Sequence, residues 1–304
     1  MTSSHTPKAQ VDYIYRADLR AFGAIGFQDV WLKRQGLESG DISQAILMRT
    51  FLRGIDVIGL TSEDDKMISG SPEDRFGFVK KGLESLSDSF DEPERGVLRI
   101  RKGGKSIYII NCQTMHDPNW QGLKLHVIGG NCLPQRDRLN DAVNYANDKG
   151  YMTFLMNVDE SNGDNLNLVE SVVFNCTGVI GHDANNVFPD WMRSIPVFGK
   201  RFKGKARSRN LPEESWIETL GKPSIAVSSA HWIQEIGSAG IQYASVPEEH
   251  FSLRALELKI EGKRFRADRG YNSPLRVLQT GYLLNKYGTD QGRFKGDKSS
   301  SYNQ

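Results

Sequence analysis

Short apolar, often β-branched runs recur along the chain, each ending in a polar tip and followed by a stretch of helical periodicity. They lie at residues 13–19, 56–61, 106–112, 123–129, 151–158, 171–175 and 224–228, with a last short run at 242–246. Between the first two, residues 41–53 place Ile42, Ala45, Ile46 and Leu52 on one side of a helix; Asp41 is placed to cap its start and Gly54 to end it. Further helices are expected near 74–87, 139–147, 248–258 and 273–287, the last carrying Leu275, Leu278, Tyr282 and Leu283. Runs that are apolar at consecutive positions and separated by helices predict parallel strands covered on both faces. Seven or eight such units in about 250 residues predict an α/β fold, a distorted TIM-like β/α barrel of seven to eight strands. A doubly wound open sheet is the alternative, because periodicity does not reveal closure.

Composition narrows the class. The chain has 304 residues, 38% hydrophobic and 25% charged, values of an ordinary globular protein, and its net charge of +2 excludes a globally basic nucleic-acid binder. Cys112, Cys132 and Cys176 are far apart, which excludes a zinc knuckle or disulfide framework and fits a reducing compartment. No run approaches the length of a membrane span, and the polar start Met1-Thr2-Ser3-Ser4-His5 lacks a signal-peptide core, so a cytoplasmic protein is expected. The expected organisation is one barrel domain over 13–287, a flexible stretch at 1–12, a basic insertion at 199–209 and a disordered tail at 288–304.

Candidate chemistry collects at the polar tips. Asp18-Leu19-Arg20-Ala21-Phe22 ends the first run, and Gly54-Ile55-Asp56-Val57-Ile58-Gly59-Leu60-Thr61-Ser62-Glu63-Asp64 contains the second. Further on stand Gln113, Leu125-His126-Val127-Ile128-Gly129, Met156-Asn157-Val158, Val172-Val173-Phe174-Asn175, Ser228-Ser229-Ala230-His231 and Glu235-Ile236-Gly237. In order and spacing this series resembles the motifs of the PHP (polymerase and histidinol phosphatase) superfamily over roughly residues 13–247. That family has a distorted barrel with metal ligands at the C-terminal strand ends. Its first two motifs read Asp-Leu-His-x-His and Gly-x-Asp-x-Ile-x-x-Thr-Asp-His.

The resemblance implies that the metal ligands have largely been replaced. Arg20 and Phe22 stand where the family has histidines, Ser62-Glu63 where it has Asp-His, Gln113 where it has glutamate, Asn157 in place of Ala-His-Pro, and Ser229 for an aspartate. Arg20 has no lone pair and a permanent charge, Phe22 has no ligand atom, and Ser62, Gln113, Asn157 and Ser229 are neutral. Arg20 is therefore expected to replace the ion as a fixed positive charge in the barrel mouth. On this reading Asp18, Arg20, Phe22, Ser62, Glu63, Gln113, His126, Asn157, Ser229 and His231 line a pocket that has lost its metal.

Two functions follow from this. The leading one is a non-catalytic binding or assembly protein, with no cofactor, whose pocket takes a polar or phosphorylated ligand. The alternative is a metal-dependent phosphoesterase with a rebuilt Zn, Mn or Fe site from Asp18, Glu63, Asp64, His126 and His231. Against that alternative, His126 and His231 also read as satisfied polar residues of the strand ends. His116, His182 and His250 lie outside the motifs and are read as surface residues, although His182-Asp183 follows an apolar run and is a further candidate for the mouth. The adjacent Ser229 and His231 do not form a catalytic dyad pattern.

The insertion Gly199-Lys200-Arg201-Phe202-Lys203-Gly204-Lys205-Ala206-Arg207-Ser208-Arg209 has no acidic residue. Lys200, Arg201, Lys203, Lys205, Arg207 and Arg209, with Phe202 among them, are expected to bind a phosphate-rich ligand, nucleic acid or an acidic protein partner. A second cationic cluster, Lys259, Lys263, Arg264, Arg266 and Arg269, follows the helix expected at 248–258.

Overall fold

The computed structural model describes residues 13–22, 39–64, 72–84, 90–102, 104–120, 122–130, 133, 136–158, 166–184, 221–245, 251–273, 275–276 and 279. The expected flexible start, the basic insertion 199–209 and the tail 288–304 lie outside these residues, as does most of the helix expected at 273–287.

Seven strands make the wall of a distorted β/α barrel. They are β1 (Tyr13–Ala21), β2 (Val57–Asp64), β5 (Lys105–His116), β6 (Lys124–Ile128), β7 (Met152–Met156), β8 (Gly178–Asp183) and β9 (Ser224–Val227), hydrogen-bonded in that order. The ring nearly closes where Ala21 bridges Ala230 in parallel, with Ser229 N–H donating to the Arg20 carbonyl (2.8 Å) and Phe22 N–H to the Ala230 carbonyl (2.9 Å). Parallel pairs join β1 to β2, β2 to β5, β7 to β8 and β8 to β9. The expectation of a wholly parallel wall is corrected at β6, which runs antiparallel to both neighbours. The seven-residue connection 117–123 leaves room only for a tight return, with the one-turn 3-10 helix Pro118–Trp120, and a strand joined that way must reverse.

The apolar runs are continuous because both faces are covered. Inward from β5 point Tyr108, Ile110 and Cys112; outward Ile107 and Ile109 meet α1 (Ser39–Leu52) and α2 (Pro72–Glu84) through Ile42, Ile46, Val79 and Leu83. On the other side α3 (Leu139–Asp148) and α4 (Leu166–Val173) cover β6, β7 and β8. The base is plugged by α5 (Leu253–Glu261), whose Leu256 and Ile260 join the barrel interior. No described helix is long and apolar enough to cross a membrane.

Three further departures from the sequence reading have plain causes. Residues 171–175 are not a strand: Val169, Val172 and Val173 are buried on one side of α4, and the strand follows at β8. Val172, Val173 and Phe174 imitate a strand because they are apolar at consecutive positions. The charged stretch 62–95 hides part of a hairpin, β3 (Phe90–Glu94) and β4 (Val97–Lys102), turned at Gly96 (φ 79°) and laid antiparallel on β5. The last expected strand is β10 (Gly240–Ser245), antiparallel to β1, and it is extended by β11 (Phe265–Asp268).

The inner wall leaves no room at Gly59. A Cβ there would lie 2.4 Å from the Leu19 carbonyl oxygen and 2.8 Å from Cys112 Sγ, whereas one at Gly77 in α2 meets nothing within 4 Å. Gly59→Ala is expected to cost on the order of 3 kcal/mol in chemical denaturation. Gly77→Ala is expected to gain about 1 kcal/mol, as glycine in a helix interior is replaced by the best helix former. Equal stability of the two variants would contradict the packing described for the wall.

Candidate functional site

Two β-bulges aim the residues of the mouth. Along β1, Asp18 is paired with Ile58 but Ala21 with Leu60, so β1 carries one extra residue. Ala17 and Leu19 face the interior by ordinary alternation, and the bulge then lets Arg20 and Phe22 turn inward while Ala21 joins the helix-covered face. On β8 the pairs Ile180 with Ile225 and His182 with Ala226 mark a second bulge, after which Asp183 faces the mouth. The two bulges bring Arg20 and Asp183 together across β9.

The guanidinium of Arg20 is the centre of the site. Its Nη1 donates to Asp183 Oδ2 (3.1 Å) and to Ser229 Oγ, and its Nε donates to Thr114 Oγ1 (3.2 Å). The pair is inside the protein, with side chains 4% and 5% exposed. The cation also lies 4.7 Å from the Phe22 ring centre, and Phe22 stacks on the half-buried His231 at 4.5 Å.

His126 continues the network. Its Nε2 lies 2.9 Å from the Leu19 carbonyl oxygen, which only accepts, so Nε2 carries the proton. Nδ1 is then the acceptor for the Thr114 hydroxyl at 3.2 Å, and the hydrogen bonds run in one direction: Arg20 to Thr114 to His126 to Leu19. Burial, and then the Arg20 charge, push the His126 imidazole down to about 3, so the ring is neutral.

Asp18 has a different task. Its carboxylate accepts from Ser228 N–H (3.1 Å), Ser228 Oγ (2.5 Å) and Gly237 N–H (2.9 Å), tying β1 to the end of β9 and the turn after it. Burial pushes its pKa up to about 6, against the pull of those hydrogen bonds. In the one-turn 3-10 helix Ile233–Glu235, buried Glu235 accepts from Trp232 N–H at 3.3 Å, and desolvation pushes it up to about 7.

The remaining expected positions are placed as follows. Gln113 Oε1 accepts from Leu133 N–H (3.1 Å), and buried Ser62 is opposite Gln113 in the register of β2 and β5. Asn157, at the end of β7, donates from Nδ2 to the Gly122 carbonyl at 3.3 Å. Asn157 (φ 58°) and Ser229 (φ 47°) are both left-handed, which costs about 1–2 kcal/mol for a residue with a side chain. Glu63 and Asp64 end β2, and their side chains are outside the described set, as is His250. Reading His182 as a surface residue is corrected: it is 2% exposed and its Nε2 donates to the Gly270 carbonyl at 2.7 Å, because the β8 bulge turns it away from the mouth and under the chain at 270. His116 is half-buried at the end of β5.

Thr114 and Asn272 belong to the site and have no sequence signal beyond polarity, while Ser228 stands in the run Ser228-Ser229-Ala230-His231. Asn272 Nδ2 donates to the Ser228 carbonyl at 3.0 Å from a loop 44 residues away. The donors described do not fit a metal ion. Both His126 nitrogens and both Asp18 oxygens are engaged, Asp183 is neutralised by Arg20, and a permanent cation stands between them. Among the described residues no group of three or more His, Cys, Asp or Glu side chains is placed to hold an ion.

No protein-family model matches the chain, and no curated protein matches it. Among solved structures it is similar to the lesion-specific endonuclease PfuEndoQ of Pyrococcus furiosus (10% identity, TM-score 0.47, covering 84% of this chain and 58% of that one). It is also similar to Endonuclease Q in complex with a 27-mer duplex carrying an abasic lesion (10% identity, TM-score 0.45, 82% and 57%). A third is PsfC from Pseudomonas syringae PB-5123 (11% identity, TM-score 0.46, 89% and 97%). The chain spans less than three fifths of the two endonuclease chains.

Proposed function

We propose that this protein is a non-catalytic binding barrel of PHP-like ancestry, in which an internal guanidinium takes the structural place of the metal and binding falls to the surface. The observation that carries this is the buried Arg20, bonded at once to strand ends of β5, β8 and β9. A metal centre in a barrel mouth gathers carboxylates and imidazoles from several strands; here the cation of Arg20 gathers Asp183, Ser229 and Thr114 and leaves no converging lone pairs for water activation. The network needs no cofactor to satisfy its charges. The partner we assign is a phosphate-rich polymer, contacted by the cations of segment 199–209.

The test is elemental analysis of protein purified without chelator, together with hydrolysis of bis(p-nitrophenyl) phosphate in added Zn, Mn or Fe. The expected result is well under about 0.1 metal ion per chain and no turnover above the buffer blank. About one ion per chain that disappears in His126→Ala/His231→Ala would overturn the reading and restore the phosphoesterase alternative. The polymer contact is tested separately: Lys203→Glu/Arg209→Glu is expected to lower affinity for a fluorescein-labelled oligothymidylate at least roughly tenfold at low salt. Undiminished affinity would remove the segment from the interface.

A further inference from the structure

The second cationic cluster has a definite place in the fold. β11 is antiparallel to β10, which is antiparallel to β1, so β11 climbs the outside of the barrel from the base, where α5 sits, toward the mouth. Lys263 and Arg264 occupy the turn at the base, Arg266 lies in β11, and Arg269 and Tyr271 follow at its upper end; all five are exposed. The upper end is held against the outer side of the ends of β8 and β9, beside the mouth: the Gly270 carbonyl accepts from His182, Asn272 N–H donates to the Ala184 carbonyl, and Asn272 Nδ2 donates to the Ser228 carbonyl. The single acid on this path, Asp268, is already met by Arg16 at 2.9 Å and by Gln242 at 3.5 Å. Lys263, Arg264 and Arg266 have no acidic partner among the described residues.

The backbone at Lys263 adds an independent observation. The chain leaves α5 through Gly262 with negative φ (−73°), and the left-handed position falls on Lys263 (φ 53°). Glycine would adopt that conformation without strain. A lysine kept at a strained position beside a run of exposed arginines points to a use for its side chain.

We infer that this flank, from Lys263 to Tyr271, is a binding track for single-stranded nucleic acid. This rests on the proposed binding of a phosphate-rich polymer and assigns it a surface. Its extended part is β11, roughly 13 Å for four residues, with the turn at Lys263 below it and Tyr271 above, which suits a flexible polyanion lying along it. Arg266 lies on the face of β11 opposite Phe265 and Ala267, and Arg264 stands at the turn just below it, its N–H closing the helix end on the Lys259 carbonyl (2.8 Å). Tyr271 is 42% exposed, with its ring edge-on to His182, and offers an aromatic face to a base at the mouth end. A run of Asp and Glu alone would meet the cations but brings no ring to stack there.

The experiment is fluorescence anisotropy of the full chain with a fluorescein-labelled oligothymidylate of about 20 nucleotides, titrated at several salt concentrations. Arg264→Gln/Arg266→Gln is expected to weaken binding at least about tenfold and to flatten the log–log salt slope by roughly 1.4, two single-strand phosphate contacts. Tyr271→Ala is expected to lose roughly tenfold, with Tyr271→Phe close to wild type. Lys263→Gly is expected to bind more weakly yet melt about 2 °C higher, since it removes both the charge and the strain. Failure of the wild type to bind would overturn the polymer reading itself and the track with it. Normal binding by Arg264→Gln/Arg266→Gln, with loss in Lys203→Glu/Arg209→Glu, would leave that reading standing and overturn the track. Equal competition by poly-L-glutamate or by duplex DNA would overturn the assignment to single strands.

Discussion

Arg20→Met is expected to cost about 3–5 kcal/mol of folding stability, because it leaves the buried Asp183 carboxylate without its cation. Thr114 and Ser229 lose a donor in the same step, and the ends of β1, β5, β8 and β9 lose their common tie. The informative comparison is the double variant Arg20→Met/Asp183→Leu. With both charges removed and the volume kept apolar, no uncompensated ion remains, and stability is expected to return to within about 1–2 kcal/mol of wild type. Urea denaturation of the wild type, both single variants and the double variant closes the cycle. A double variant no more stable than Arg20→Met would mean that the guanidinium matters through something other than Asp183. This result also bears on function: recovery with neutral side chains would show that the pair holds the mouth together and is dispensable as a charge.

The second large effect is on pH dependence. His126 is held neutral in the fold, its pKa pushed by burial and the Arg20 charge down to about 3 from the ordinary imidazole value of 6.5. Below pH 6.5 the unfolded chain gains a proton that the folded one refuses, and stability is lost as pH falls toward 3, by up to roughly 5 kcal/mol. Asp18 and Glu235 act in the opposite sense. Their folded values are raised, to about 6 from 3.8 and to about 7 from 4.5, so their contribution is fully present at low pH and is lost as pH rises through those windows. In the wild type the two tendencies oppose one another between pH 4.5 and 6.5, and the stability profile is expected to be shallow there. His126→Gln removes the acid-side loss and leaves the carboxyls in place. Its urea midpoint is therefore expected to rise as pH drops from about 7.5 to 4.5 while the wild-type midpoint stays nearly level. Glu235→Gln is expected to change in the other direction, losing stability on acidification. Parallel profiles for all three proteins would remove the assignment of neutral His126 and protonatable Glu235.

The residues of the mouth were legible by type. The polar tip of the first run is visible in Asp18-Leu19-Arg20-Ala21-Phe22, and a guanidinium cannot coordinate an ion whatever its surroundings. The strand ends were also legible, because a strand buried on both faces must be apolar at consecutive positions and polar only where it emerges. Helix α4 was misread for the complementary reason: Val172, Val173 and Phe174 are apolar at consecutive positions like a strand covered on both faces, and only the common burial of Val169, Val172 and Val173 shows the helical period.

The sequence by itself determined the class of fold, the order of most strands and the polar residue types at their ends, since these depend on residue type and local periodicity. The tertiary structure alone decided what those polar residues do. Arg20 and Asp183 are 163 residues apart, and they meet only because one extra residue in β1 and one in β8 reverse the alternation of side chains near each strand end. The direction of β6, the partners of His126 and the closure of β9 on β1 depend in the same way on register between distant strands. Register is set by pairing energies summed over the whole sheet, so no local stretch of residues carries it.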